Sequence, residues 1–409
     1  MGRILVLGAG FAGLWSAVGA ARALDEFRIS RNEVQVTVVN RDAWHAIRVR
    51  NYEADLGQVR VALDDVLDPI GVKWITGEVA GIDLAHRQVA CAIRGTRHLL
   101  DYDRLVFALG SQVVRPEVPG LAEYAFDVDT YEGGARLNTH IDTLPEQPSS
   151  PGQFTVVVVG AGLTGIETAT ELPGKLRAAM SRAGRVAGAP RVILADHRPM
   201  IGSDMGEYAC RVIDEALASL GVETLAGVSV GAIDASGATL STGEKIPAAT
   251  IVWCTGMRAN PLTGLFPVTR DRFGRIPVDS FMKVEGVNDT FAAGDVACAV
   301  VDGQHASVMS CQHARPMGRF AGHNAICDFL GRPMLPLRID SYVTILDLGP
   351  WGAVYTEGWD RHVVATGAAA KRTKQLINCE RIYPPRSADR RQILDAAAPI
   401  VQIPPPQFR

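Results

Sequence analysis

The chain has 409 residues, 47% hydrophobic and 21% charged, the balance of an ordinary globular protein with room for two or three domains. A formal net charge of −3 excludes bulk electrostatics as a reason to bind nucleic acid or a membrane surface. No run of eighteen apolar residues makes a membrane-spanning helix expected, and a strand starting within three residues of the N-terminus leaves no room for a signal peptide.

The first element is the aliphatic run 3–7, followed by Gly8-Ala9-Gly10-Phe11-Ala12-Gly13 and an Ala-rich stretch to about Leu24. It reads as a buried strand, a tight glycine turn and a helix. Gly8 permits the turn, Gly10 lets a pyrophosphate approach the backbone, and Gly13 lets helix and strand pack closely. The helix N-terminus offers unpaired N–H groups to phosphate. Residues 34–39 predict the second strand. Asn40 and Arg41 follow it, where an acidic residue usually holds a ribose; Asn40 can still give that ribose one hydrogen bond. The polar insert 25–33 lengthens the connection. His45 reads either as a chemical group or as a residue packed beside Trp44; Arg48 and Arg50 read either as phosphate ligands or as a solvated face.

Residues 72–79 and 88–93 predict a small antiparallel meander, and 99–111 a buried strand ending at Gly110-Ser111. Composition then shifts to Pro, Gly and polar residues, with 145–152 the clearest linker. The opening device then recurs. Residues 155–159 read Thr-Val-Val-Val-Val and lead into Gly160-Ala161-Gly162-Leu163-Thr164-Gly165. The strand 191–195 ends at Asp196, whose carboxylate suits the hydroxyls of an adenosine ribose and repels a 2′-phosphate. That favours NADH over NADPH, with Arg198 working the other way. Structural glycines explain one such turn far better than two. Two dinucleotide cradles in one chain imply two dinucleotides that meet, the usual pair being a flavin and a nicotinamide.

Residues 248–256 give another apolar strand ending in Gly256, and 289–297 a strand with Gly294-Asp295 at its carboxyl end, where ligand-facing groups collect in a parallel sheet. Asp295 also reads as a helix N-cap. Residues 310–331 predict a helix with Pro316 in its first turn and Gly331 at its end. Its N-terminus suits a reduced, anionic flavin. Residues 341–347 and 352–356 predict strands of a smaller third domain. The proline-rich tail from Pro384 is expected to be extended and docked on another surface. The seven cysteines, at 91, 210, 254, 298, 311, 327 and 379, form no C-x-x-C or zinc spacing. They read as free thiols of a cytoplasmic protein, with no metal site.

With the two glycine motifs, the strand ending at Gly110 and the Thr290 to Asp295 element in this order, the chain resembles the two-dinucleotide-binding-domain flavoproteins, FAD-dependent pyridine nucleotide oxidoreductases, over roughly residues 1–330. Within them it looks most like the type II NADH dehydrogenases, through residues 36–41 with Trp44-His45, 102–111, 159–172 and Gly294-Asp295. The resemblance implies an α/β fold with two Rossmann-like domains, the NAD domain inserted in the FAD domain, plus a small C-terminal α+β domain. The boundaries expected are 1–115 with 270–333 for FAD, 153–262 for NAD, and 334–409 for the third domain, through which the family often forms a homodimer.

By the same resemblance, FAD would lie against Gly8, Gly10, Phe11, Ala12, Gly13, Asn40, Arg41, Arg48, Val79, Ala108, Gly110, Gly294, Asp295, Gln312 and Ala314. NADH would lie against Gly160, Gly162, Leu163, Thr164, Gly165, Glu167, Asp196 and Gly256. Hydride would pass from NADH to FAD, and electrons on to a small-molecule acceptor such as a quinone, to oxygen or to a redox protein. Gln312 and His313 would contact the flavin edge, and Glu167 would relay a proton. The chain departs from the family at its acceptor helix. The family reads A-Q-x-A-x-Q-Q-G there, and this chain reads Cys311-Gln312-His313-Ala314-Arg315-Pro316-Met317-Gly318. Residues 370–375 lack the apolar face of a membrane anchor; Lys371, Arg372 and Lys374 read as a solvated helix or as a contact to an anionic surface. Residues 40–60 contain no Cys, which argues against disulfide reduction, and Cys311 is the one cysteine placed for sulfide chemistry. The alternatives are a flavin dehydrogenase or oxidase for an organic pathway substrate, and a flavin-based redox sensor.

Overall fold

The computed structural model describes residues 1–184 and 189–406. Strand β1 (Gly2–Leu7) leads through the first glycine turn into α1 (Phe11–Glu26), β2 (Val34–Asn40), β3 (Lys73–Thr76) and β4 (Arg104–Phe107). These strands pair in parallel in the order β4–β1–β2–β3. Parallel strands are covered on both faces, which is why β1 and β4 are apolar and buried after an arginine near the start of each. β3 thus joins the main sheet, against the expectation of a meander strand at 72–79. The chain turns at Gly77, and the meander is built from Glu78–Asp83, Gln88–Ile93 and Thr96–Asp101.

A second unit follows: β5 (Ala125–Phe126), β6 (Thr155–Val159), α2 (Leu163–Arg182), β7 (Arg191–Asp196), β8 (Val222–Ala226) and β9 (Thr250–Trp253). Its parallel sheet has the order β5–β9–β6–β7–β8, again with the glycine-motif strand at the centre. The chain then returns. β10 (Thr290–Ala292) pairs with β4 and completes the first sheet as β10–β4–β1–β2–β3. The insertion of one dinucleotide-type unit within another is thereby visible in the strand order.

Helix α3 (Cys311–Phe329) packs along α1. Small residues set their spacing. A Cβ on Gly318 would stand 2.3 Å from the Ala12 carbonyl oxygen, and one on Gly322 would stand 1.9 Å from that of Ser16. Both contacts advance together, so the helices run in the same direction. Pro316 lies beyond the expected first turn, since the helix starts at Cys311 behind a Ser310 cap. Gly322→Ala is expected to push the helices apart and lower unfolding stability by about 1–3 kcal/mol. Thermal unfolding checks this, and an unchanged midpoint would contradict the packing.

The third layer is an antiparallel sheet of β11 (Val343–Asp347), β12 (Ala353–Glu357) and β13 (His362–Thr366), followed by α4 (Gly367–Leu376). The tail from Pro384 is not extended throughout, as expected from its prolines: a short helix, Arg390–Ala396, interrupts it, and the extended stretch after that helix lies over α3. Among the described residues no helix is long and apolar enough to cross a membrane.

Candidate active site

Both glycine turns have the same three-part geometry. Gly8 and Gly160 take φ of +92° and +102°, which other residues avoid. A Cβ on Gly13 or Gly165 would stand 1.9 or 1.8 Å from the carbonyl oxygen of Gly8 or Gly160, so helix and turn can touch there only through glycine. The middle residues Gly10 and Gly162 differ: a Cβ on either would meet nothing within 4 Å. Each turn therefore presents bare backbone to open space at a helix N-terminus, where N–H groups favour phosphate. Phe11, Ala12, Leu163 and Thr164 form the first turns of those helices. The residues present fit two dinucleotides.

The residue ending the second strand plays one role in both units. Asn40 Oδ1 accepts from the Ala9 N–H at 3.0 Å, and Asp196 Oδ2 accepts from the Ala161 N–H at 2.5 Å. Each fixes the loop between the first two glycines. The Asn40 amide also donates to the Asp42 and Trp44 carbonyl oxygens. The ribose bond expected of Asn40 therefore competes with a loop-holding role, which needs only a neutral oxygen. That is why a missing charge is tolerated. Arg41 is exposed and lies 3.7 Å from Asp42.

The carboxyl ends of β4 and β10 complete the first cradle. Ala108 is buried, Gly110 has φ +71° with open space beyond it, and Gly294, at φ +76°, lies close against Ala12. Ser111 donates its hydroxyl to Asp295 at 2.5 Å. Asp295 caps no helix; Ser310 caps α3 instead. Arg48 does not form the solvated face that was one reading of it; it is half-buried among acidic partners beside the first cradle. It donates to the Ser111 hydroxyl at 2.9 Å and to Asp129, and lies 3.8 Å from Asp295. Its charge is spent on bracing the acidic loop ends. Val79 sits half-buried at the start of the meander, and Ala314 is buried on α3.

A strand ribbon joins the two cradles. Chains leaving β4 and β9 pair antiparallel, Ser111–Val113 against Met257–Ala259, just beyond Gly110 and Gly256. Glu167, on the second turn of α2, is buried against the third layer. Its Oε1 accepts from Lys374 Nζ at 2.6 Å and from the Asp347 N–H at 3.1 Å. Burial pushes the Glu167 carboxyl up, with Lys374 holding it back. Burial opposes the charge on Lys374, but Glu167 and Asp347 hold its pKa above the ordinary lysine value. The Tyr52 hydroxyl, buried and without a hydrogen-bond partner among the described residues, feels both carboxylates. The expectation that Lys371 and Lys374 form a solvated face is corrected. Lys371 pairs with Asp347 at 2.5 Å and Lys374 is in the interior. Lys374 was not foreseen, because it lies 207 positions from Glu167.

Gln312 and His313 differ from expectation. The Gln312 amide, oriented to satisfy both its ends, pairs with the backbone of Val343 on β11. The His313 ring is fully buried, accepts from the Val308 N–H at 2.9 Å and lies edge-on to Tyr342 and Trp359. His45 is likewise packed, with Nδ1 2.8 Å from the Ala9 carbonyl oxygen and Phe11 edge-on to its ring. Burial lowers each ring to a pKa of about 4. An unfolded histidine titrates near 6.5, so this stability is complete above that pH and is lost as pH falls towards 4, by roughly 3 kcal/mol per ring. Urea unfolding should show a falling midpoint between pH 6.5 and 4.5; a flat profile there would contradict it.

Two glycine cradles linked by a strand ribbon, with a buried carboxylate–ammonium pair on the helix of the second, define a dinucleotide-dependent oxidoreductase. The chain belongs to the pyridine nucleotide-disulphide oxidoreductase family, whose model matches residues 2–318. It is 57% identical over 402 residues to an NADH dehydrogenase-like protein of Mycobacterium tuberculosis, covering 98% of this chain and 99% of that one. It is 27% identical to the type II NADH:quinone oxidoreductase of Staphylococcus haemolyticus, over 74% of this chain and 76% of that one. The fold matches the structure of Plasmodium falciparum NDH2 in complex with NADH, with a TM-score of 0.77, 12% identity and 97% of each chain covered.

Proposed function

We propose that the protein is an NADH:quinone-type oxidoreductase with FAD in the first cradle and NADH in the second. The observation that carries this reading is the pair of open middle glycines, Gly10 and Gly162, on two cradles of one chain. The names of the NADH dehydrogenase-like and NADH:quinone relatives support it. When bound, FAD supplies a two-electron relay between a hydride donor and an acceptor.

The chain's own groups then have defined work. Gly8, Gly10 and Gly13 admit the pyrophosphate of FAD, and Asp295, braced by Arg48 and Ser111, presents a carboxylate to its polar chain. Gly160, Gly162, Leu163, Thr164 and Gly165 hold the pyrophosphate of NADH, with Asp196 beside its ribose and Gly256 at the cradle rim. The overall reaction takes NADH, one proton and a quinone to NAD⁺ and a quinol. A proton must therefore be supplied to the reaction, and the Glu167 carboxyl beside Lys374 is a buried group that can hold one. We assign the proton-relay role to Glu167, with Lys374 setting its charge. Gln312 positions α3 against β11, and His313 supports the fold around it.

The domain limits 1–115 with 270–333, 153–262 and 334–409, cytoplasmic location and a homodimer belong to the same proposal. Steady-state assays with a water-soluble quinone test the donor. NADH is expected to exceed NADPH at least tenfold in kcat/KM, since Asp196 opposes a 2′-phosphate. Equal rates with the two donors would overturn that assignment.

A further inference from the structure

The outer face of α3 holds two guanidiniums in the protein interior. Arg315 is 5% exposed and Arg319 2%. They lie one turn apart over the Trp15 ring of α1, at 5.2 and 4.4 Å from its centre. A buried charge is ordinarily paired with an opposite one. Among the described residues neither arginine meets a carboxylate. Arg315 donates to the Gln402 side-chain oxygen at 2.7 Å and Arg319 to the Ile400 carbonyl oxygen at 3.5 Å, while Nε of each is buried without a partner. Nearby, Arg381 donates to the Ile403 carbonyl oxygen at 2.8 Å.

Three arginines thus converge on one stretch of tail that offers only neutral oxygens. That stretch is thin: Gln402 and Ile403 are exposed. The charge of Arg315 reaches the flanks of the first cradle, since it acts on Cys311 at the start of α3 and on His45 beside Ala9. Burial, then repulsion from Arg319, lowers the Arg315 pKa to about 9. An oxyanion seated there would replace neutral acceptors with a charged one and pair the two guanidiniums.

We propose that Arg315 and Arg319 form a binding site for the anionic substituent of an acidic quinone-type acceptor, with tail residues 400–403 as its displaceable cover. This rests on the reading that the reduced protein passes electrons to a quinone. The quinone ring takes two electrons and two protons to become the quinol, and the anionic substituent leaves unchanged.

The test compares 1,4-naphthoquinone with its 2-sulfonate as acceptors for the FAD-loaded protein. The quantity read is the ratio of kcat/KM for the sulfonate to that for the neutral quinone. Arg315→Gln is expected to lower this ratio about tenfold. Gln402→Glu, an exposed change that sets a carboxylate against Arg315, should do the same without touching either arginine. Arg315→Lys should keep the ratio within about threefold, because the charge remains. Calorimetry with redox-inert naphthalene-2-sulfonate supplies a readout besides turnover, with binding to the wild type weakened about tenfold in Arg315→Gln. Unchanged ratios in both Arg315→Gln and Gln402→Glu, or equal sulfonate binding, would overturn the site. If NADH fails to bleach the wild-type flavin, the oxidoreductase reading has failed instead.

Discussion

Gly162→Val is expected to give a yellow protein that NADH reduces roughly 100-fold more slowly. Gly162 has φ of −72°, which any residue adopts, and a Cβ there meets nothing within 4 Å. Valine therefore fits the fold. It fills the space through which a pyrophosphate would reach the N-terminus of α2. Flavin content and thermal midpoint should match the wild type, because the first cradle is untouched. Gly10→Val should behave in the opposite way, folding normally but purifying without colour. Stopped-flow reduction and the visible spectrum read both. Wild-type reduction in Gly162→Val would show that the second cradle does not hold the hydride donor. By contrast, Gly165→Ala strikes the Gly160 carbonyl at 1.8 Å and should damage the fold itself.

The second large effect concerns Glu167. Glu167→Gln keeps an oxygen that can accept from the Asp347 N–H and from Lys374, but removes the exchangeable carboxyl proton. Reduction of the flavin by NADH should be preserved, because NADH brings its own hydride. Reoxidation by a quinone should slow by roughly 100-fold, the lower range for loss of a general acid. Glutamine also leaves Lys374 with the Ile345 carbonyl oxygen at 3.0 Å, so the buried cation is not stranded. Separate stopped-flow measurement of the two half-reactions decides it. Equal slowing of both, or wild-type reoxidation, would remove the proton-relay role.

The outline of the fold was readable because local sequence dictates it. Five consecutive residues from Thr155 to Val159 fit only a strand buried on both faces, and the glycines after it allow only a tight turn into a helix. Asp295 was placed at the cradle because it ends a strand of the same sheet. Roles that depend on distant partners were not readable. Lys374 looks solvated beside Lys371 and Arg372, and only the docking of α4 behind β11 carries it to Glu167. Arg315 and Arg319 give α3 a polar outer face, and only the returning tail makes that face interior. Asn40 looked like a weakened ribose ligand, whereas its oxygen and that of Asp196 do the same loop-holding work. His313 sat in a family motif, but its ring turns towards Val308 and Tyr342.

In the proposed function one chain joins a hydride donor to a quinone through two glycine cradles. Anaerobic titration of the purified protein with NADH, followed in the visible spectrum, tests it most directly. One equivalent of NADH should bleach a bound flavin, and a water-soluble quinone should restore the colour faster than air does. A colourless protein that takes up no FAD, or a bleached one that quinone does not restore, would contradict the claim.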